Sequence, residues 1–211
     1  MIDIVIPNNN ESKFISTAVK LGYTGLVFLY DQKNRNNVNV ALKLKKDEKR
    51  IKIFTAFVAD KKKQMQGVDL FLTTKSDRKF LKGEFDMIYD IELNIQDTMK
   101  QRQGGLNQVL CNVMKENDVS YCISFSTALI STNRADLIGS IMQNLLLCQK
   151  YKVKIAIASF ASSIYQMRNP KDLEAFVRLL GVKDSKKAMS YLDQLMAYKC
   201  KKMLLPGIEQ I

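Results

Sequence analysis

The residues of this chain best placed for chemistry are carboxylates within its apolar runs. Asp3 interrupts the first run, and Asp90 and Glu92 lie two residues apart in a later one. If the later run is a strand, Asp90 and Glu92 share one of its faces, and carboxylate oxygens are the ligands that Mg²⁺ prefers. The alternative is that all three carboxylates cap turns or pair with lysine and arginine at the rim of a sheet. We adopt this alternative and predict no catalytic and no metal-binding residue.

The absence of histidine from the sequence limits the chemistry further. Histidine-rich metal centres and Ser-His or Cys-His nucleophile systems cannot be assembled without it, which excludes most hydrolase sites. The four cysteines form no C-x-x-C pair, so we predict buried thiols in a reducing compartment rather than a zinc site. The sequence contains neither of the glycine-rich phosphate-binding motifs G-x-x-x-x-G-K-S/T and G-x-G-x-x-G. The adjacent Gly104 and Gly105 are expected to make a tight turn before a helix.

The charge of the chain favours a polyanionic partner, with nucleic acid as the first candidate. Lysine and arginine number 33 against 21 aspartates and glutamates, which gives a net charge of +12. Residues 43–63 hold nine basic residues against three acidic ones, and residues 75–82 hold four against one. Such clusters suit phosphate contacts, although a basic face that serves only solubility has the same composition. No base-stacking RNP motif, K-homology loop or zinc knuckle is recognisable in the sequence.

The elements that position these residues follow from the hydrophobic pattern. Short apolar runs with β-branched residues are typical of buried parallel strands. They predict strands at residues 2–6, 25–30, 50–59, 69–73, 86–93, 119–125 and 153–157. Apolar residues at helical spacing predict helices at 11–21, 105–116, 134–151, 170–180 and 185–199. Residues 31–49 fit either a shortened helix or an extra strand, and residues 206–211 fit a short extended tail.

About seven strands that alternate with helices indicate an α/β fold with a parallel sheet. Both a closed (β/α) barrel and an open doubly wound sheet fit this pattern. A full eightfold barrel has about 250 residues, and the short connections before the fourth and fifth predicted strands account for the smaller size of this chain. We therefore predict a single domain over residues 1–211, a compact TIM-like barrel with shortened crossovers.

The segment before the predicted helix at 170–180 holds the strongest anion-binding candidate, Arg168. It precedes Asn169, a favourable N-cap residue, and Pro170, which suits the first helical position. The free N–H groups and the positive dipole end of a helix N-terminus favour an anion, and a guanidinium adds a planar fork of donors for phosphate. Lys171 brings a second positive charge. The alternative is that Arg168 pairs with Asp172 or another carboxylate and only orders the loop.

Four stretches give the chain a resemblance to a known family. They are IDIVIP at residues 2–7, LGYTGLVF at 21–28, GGLNQVLCNVMKENDVSYCISF at 104–125, and residues 144–181, which contain a Tyr-x-x-Arg-x-Pro-x-Asp-Leu segment starting at Tyr165. With these motifs the chain resembles archaeal ribonuclease P protein component 3, related to the eukaryotic thirty-kilodalton subunit. The resemblance extends from end to end, although residues 31–49 form a shorter segment than in relatives. It implies a compact barrel related to the polymerase-and-histidinol-phosphatase metallohydrolases.

The resemblance also implies partners, and it adds to the case for basic residues that contact RNA. Members of the family are protein cofactors of an RNA enzyme that removes 5′ leaders from precursor tRNA. The expected partners are ribonuclease P RNA and ribonuclease P protein component 2, in a heterotetramer, with precursor tRNA met indirectly. We expect no cofactor in the protein and Mg²⁺ for the RNA enzyme. The candidate RNA-contacting residues are Arg168, Lys171, Arg102, Arg78, Lys75 and Arg134. On the last helix, Met189, Tyr191, Met196 and Tyr198 either meet a protein partner or finish closing the barrel.

These observations predict a non-catalytic RNA-binding subunit of ribonuclease P. A divergent carboxylate-metal phosphoesterase is the alternative function, and a small-molecule barrel enzyme is a third. The N-terminus lacks the basic region of a signal peptide, and no stretch approaches the roughly 20 apolar residues of a membrane span. We therefore expect a cytoplasmic protein without membrane contacts.

Overall fold

Seven parallel strands form the centre of the molecule. A computed structural model describes residues 1–59, 65–78, 81–82, 85–94 and 104–204. The strands follow one another in the sheet in the order of the sequence, and every neighbouring pair is parallel. They are β1 (Ile2–Val5), β2 (Gly25–Tyr30), β3 (Lys52–Val58), β4 (Leu70–Thr73), β5 (Met87–Ile88), β6 (Ser120–Ser124) and β7 (Ile155–Ala158). This order and direction are those of the predicted barrel.

Helices connect and surround the strands. They are α1 (Glu11–Leu21), α2 (Val38–Asp47), α3 (Gln108–Glu116), α4 (Phe125–Ile130), α5 (Arg134–Tyr151), α6 (Pro170–Leu179) and α7 (Ser185–Leu204), with single 3₁₀ turns at Arg35–Asn37, Ile91–Asn94 and Ile164–Gln166. Two apolar clusters between sheet and helices form the outer core. In the described part of the chain, no helix combines the length and apolar character needed to span a membrane.

The first and last strands close the barrel through the segment that directly follows β7. The Phe160 N–H donates to the Ile4 carbonyl at 2.8 Å, and the Ile6 N–H donates to the Ala161 carbonyl at 2.9 Å. Residues 159–161 therefore continue β7 alongside β1. The hydrophobic pattern predicts that the last strand ends at residue 157, whereas the structure uses residues 159–161 as part of the barrel wall.

Helix α7 covers the N-terminal end of the barrel. Its Tyr191, Leu192 and Met196 belong to the same buried cluster as the inward residues of the strands. Lys199 pairs with Asp86, just before β5, at 2.7 Å. The barrel interior is thus a packed core with a helical floor, rather than an open channel.

Three predictions of secondary structure need correction. Residues 31–49 form a 3₁₀ turn and α2, so the extra strand is wrong, because parallel β2 and β3 need a crossover between them and Val38 and Ala41 are buried at helical spacing. The fifth strand is only Met87–Ile88, since the left-handed backbone of Asp90, with φ of 50°, ends it. Helix α4 was not predicted. The tail at 206–211 lies outside the described residues.

Candidate nucleic-acid interface

Asp3 has a structural role in barrel closure. Its side chain is fully buried, and its carboxylate accepts the Ser159 N–H at 2.6 Å, the Ser159 hydroxyl at 2.7 Å and the Ile4 N–H at 2.9 Å. Burial raises the pKa of Asp3 to about 6, while these hydrogen bonds oppose the rise. The carboxylate therefore joins β1 to the continuation of β7, and its oxygens are already occupied by donors.

Asp90 and Glu92 do not share a strand face, because Asp90 follows β5 and Glu92 lies in a 3₁₀ turn. The Thr127 hydroxyl donates to Asp90 Oδ2 at 3.0 Å. Glu92 Oε1 accepts from the Asn144 amide at 2.6 Å and from the Tyr121 hydroxyl. Burial raises the pKa of Asp90 to about 6 and also raises the pKa of Glu92. These two carboxylates connect the end of β5 to β6, α4 and α5.

The three candidate carboxylates are thus held by hydroxyl, amide and backbone donors. The sequence also predicts a structural role for these carboxylates, but with lysines and arginines at the rim of the sheet as their partners. Among the described residues, no group of three or more Asp, Glu, Cys or His side chains is placed to hold a metal ion.

The loop that carries Arg168 is built as its sequence predicts. The Asn169 side chain caps α6 by accepting the Lys171 N–H at 2.9 Å, and Pro170 is the first residue of the helix. Arg168 Nη1 donates to the carbonyls of Tyr165 at 2.8 Å and Met167 at 2.9 Å. In the described part of the chain no carboxylate forms an ion pair with Arg168, so the predicted alternative of pairing with Asp172 is not observed.

Arg168 and Arg134 contact opposite ends of α4. The Arg168 guanidinium lies over the ring of Phe125, the first residue of this helix, with 5.8 Å from Cζ to the ring centroid. Arg134 donates to the carbonyls of Ala128 at 3.0 Å and Leu129 at 2.7 Å, in the last turn. Since carbonyls at a helix C-terminus lack intrahelical donors, Arg134 completes that end. The structure therefore places two predicted basic residues on one short element.

Of the remaining predicted basic residues, Lys171 lies near Arg168 and the others lie elsewhere along the chain. Lys171 is exposed in the first turn of α6, and Lys75 and Arg78 follow β4, where Arg78 is exposed and Lys75 is half-buried. Arg102 lies outside the described residues. The sequence reasoning missed α4 itself, and the signal was Ser124, whose hydroxyl accepts the Thr127 N–H at 3.4 Å as an N-cap.

A family model described as RNase P subunit p30 matches residues 1–202. The chain belongs to this family. The match covers every strand and all but the last two described residues, so the family assignment extends over the whole barrel.

Curated members of the family resemble this chain at modest identity. Ribonuclease P protein component 3 of Methanococcus maripaludis strain S2 is 25% identical over 222 residues, which cover 98% of this chain and 86% of that protein. The protein of the same name from Methanococcus vannielii is 31% identical over 143 residues, or 64% of this chain and 59% of that protein.

A solved structure also shares the fold. One chain in a cryo-EM structure of archaeal ribonuclease P with mature tRNA superposes with a TM-score of 0.78 at 24% identity, covering 100% of this chain and 98% of that chain. The likeness confirms the barrel.

Helix α7 exposes fewer of the four residues considered for a protein partner than its sequence suggests. Tyr191 and Met196 are buried in the barrel floor and Met189 is half-buried, whereas Tyr198 is 62% exposed. Tyr191 and Met196 therefore help to close the barrel, which was the alternative considered for them, whereas Met189 packs against the outer core.

Proposed function

We propose that this chain is a non-catalytic protein subunit of ribonuclease P, which assists the RNA enzyme that removes 5′ leaders from precursor tRNA. The match of the family model over residues 1–202 carries the proposal, and the net charge of +12 supports an RNA partner. The Mg²⁺ requirement of ribonuclease P then belongs to its RNA, and this chain acts in the cytoplasm.

The carboxylates argue against the alternative of a divergent metal phosphoesterase. The oxygens of Asp3, Asp90 and Glu92 accept hydrogen bonds that hold strands and helices together. A hard cation requires several oxygens around one point, whereas the described residues place no three carboxylates together to hold one. The side chains that could have served hydrolysis serve the fold instead.

The proposed RNA interface is centred on α4 and the start of α6. Arg168 and Arg134 each use part of the guanidinium on backbone carbonyls, which fixes the direction of the group. A guanidinium held in this way loses little entropy when its remaining donors meet phosphate oxygens. Lys171 extends the positive charge along α6. Lys75, Arg78 and Arg102 are the proposed contacts beyond this area.

The protein partner in the proposal is ribonuclease P protein component 2, in a heterotetramer of two copies of each chain. The names of the relatives, ribonuclease P protein component 3, support an assembly with other protein components. Tyr198, exposed on α7, is the aromatic residue of the predicted set that remains available to such a partner. Co-expression with component 2 that yields only separate monomers on a sizing column would count against this assembly.

Arg168→Ala tests the interface, with Arg178→Ala, in the last turn of the following helix α6, as a matched control. Arg168→Ala removes two hydrogen bonds to carbonyls, so we expect it to lower the unfolding free energy by about 1 kcal/mol. Arg178 pairs with Glu174 at 2.6 Å on the surface, so its loss costs about 0–1 kcal/mol.

RNA binding separates the two variants. For ribonuclease P RNA, we expect Arg168→Ala to reduce the log–log salt slope of the affinity by about 0.7–0.9, the contribution of one phosphate contact, and we expect the control to leave it unchanged. The assay is filter binding at several salt concentrations. If the salt slope of Arg168→Ala equals that of the control, Arg168 only orders its loop.

A further inference from the structure

A small cleft opens beside the barrel floor, between the end of α5, the start of β7 and the start of α7. Its volume is about 350 Å³. The apolar part of its lining includes Cys148, Val153, Val182, Ala188 and Tyr191, all of them buried. Ligand pockets range from about 300 to 1,000 Å³, so this cleft suits a group the size of one nucleotide. It is too small to take a helix or strand of another protein.

The rim of this cleft is strongly basic. Lys152, Lys183 and Lys187 line it and are exposed, and none of the three pairs with a carboxylate in the described part of the chain. The one acidic lining residue is Asp184, whose Oδ1 accepts the Lys187 N–H at 2.9 Å. A fourth lysine of the lining, Lys154, pairs with Asp118. Three unpaired ammonium groups therefore surround an apolar hollow.

Lys152 occupies a position that disfavours lysine. It follows the last residue of α5 with φ of 60° and ψ of 35°, and its N–H donates to the Cys148 carbonyl. Glycine is the usual residue in this left-handed position, because a Cβ there is strained. A lysine at a helix C-terminus interacts favourably with the helix dipole, and here its side chain also contributes charge to the cleft.

We infer that this cleft binds a single unpaired nucleotide of RNA. Its apolar floor takes the base, and the rim lysines take the flanking phosphates. The combination fits a nucleotide better than an acidic peptide, since a carboxylate side chain would leave the floor unfilled. Proteins read RNA mainly at loops and bulges whose bases are splayed out of the helix. The inference rests on the proposed RNA-binding function and adds to it a class of RNA element, an unstacked nucleotide.

Photo-crosslinking with the full chain tests the cleft directly. The probe is a short single-stranded RNA with one 4-thiouridine, compared with the same strand in a duplex. We expect crosslinks from the single strand within residues 153–155 or 182–191, and at least a tenfold lower yield from the duplex. Crosslinks confined to other parts of the chain would overturn the assignment.

A charge-removal pair measures the contribution of the rim. Lys183→Gln combined with Lys187→Gln should lower the log–log salt slope for the single strand by about 1.4, since each single-strand phosphate contact contributes about 0.7. Lys13→Gln combined with Lys20→Gln makes the same charge change on exposed residues of α1 and should leave the slope unchanged. Equal losses in both double variants would indicate general electrostatic attraction and refute the cleft.

Lys152→Gly separates binding from folding. Because glycine suits the left-handed position, we expect the melting temperature to stay the same or rise, while the crosslink yield falls. A lower melting temperature with an unchanged yield would overturn the role of Lys152.

A poly-glutamate peptide that displaces the single strand at equal charge concentration would assign the cleft to an acidic protein segment. If the natural chain binds no RNA, the proposed function fails too; if it binds RNA without crosslinks in the cleft, only this inference fails.

Discussion

Replacement of Asp3 by asparagine should change how the stability of the barrel depends on pH. Asp3 lies between β1 and the continuation of β7 and accepts the N–H and hydroxyl of Ser159. Asparagine has nearly the same shape and keeps an oxygen for the Ser159 N–H, but it carries no charge. The substitution therefore isolates the effect of burying a carboxylate that titrates.

The magnitude follows from the pKa of Asp3, which burial raises from 3.8 to about 6. Below pH 3.8 the group is protonated in both the folded and the unfolded chain, so it adds no pH dependence. Between pH 3.8 and about 6 the unfolded chain releases this proton while the folded chain retains it, and the folded state loses stability as the pH rises. At about 1.36 kcal/mol per pKa unit, the loss is about 3 kcal/mol above the folded pKa.

Urea unfolding of both chains across this pH range measures the effect. The unfolding free energy of Asp3→Asn minus that of the natural chain should increase by about 3 kcal/mol from acid to neutral pH, after an initial deficit of about 1 kcal/mol for the altered hydrogen bonds. Asp47→Asn, on an exposed residue of α2, is the control and should show no such trend. Parallel curves for Asp3→Asn and the natural chain would refute the reasoning.

Two further substitutions test the packing around the barrel. Asp69→Ala leaves the Thr55 N–H without the carboxylate that accepts it at 2.9 Å, so urea unfolding should show that the unfolding free energy falls by about 2–3 kcal/mol. The surface change Asp47→Ala is the control and should alter the unfolding free energy by no more than about 0.5 kcal/mol. Equal losses in the two variants would contradict the role of Asp69. Gly104→Ala places a Cβ 2.8 Å from the Ser140 carbonyl oxygen, which should cost about 1–3 kcal/mol. An unchanged melting temperature would show that the clash is relieved.

The elements that the sequence predicts well have strong local signals. Helix α5 spans Arg134–Tyr151 as predicted, because apolar residues recur at helical spacing from Leu137 to Cys148. The start of α6 is equally clear, since Asn169 and Pro170 fix the cap and the first turn. In α3, by contrast, Val109 has the helical spacing of an inward residue relative to Leu106 and Val113 but is 53% exposed, because a helix of nine residues gives too short a pattern to fix its orientation.

The parts that could not be predicted depend on distant contacts or on single backbone angles. The partner of Asp3 is Ser159, 156 residues away in sequence, and no local pattern reports such a pair. The early end of β5 depends on the positive φ of Asp90, and the apolar pattern of residues 86–93 does not indicate this backbone angle. The basic cleft joins Lys152 with Lys183 and Lys187, and these residues come together only once α5 and α7 are in place.

Cleavage of precursor tRNA tests the central claim most directly. Ribonuclease P RNA at limiting Mg²⁺ would be assayed with its other protein components, with and without this chain, next to the chain alone with Mg²⁺. If the chain is a non-catalytic subunit, it should increase the rate of 5′ leader removal and should cleave nothing by itself. Cleavage by the purified chain in the absence of the RNA would contradict the account, as would an unchanged rate when the chain is added to the complete set of components.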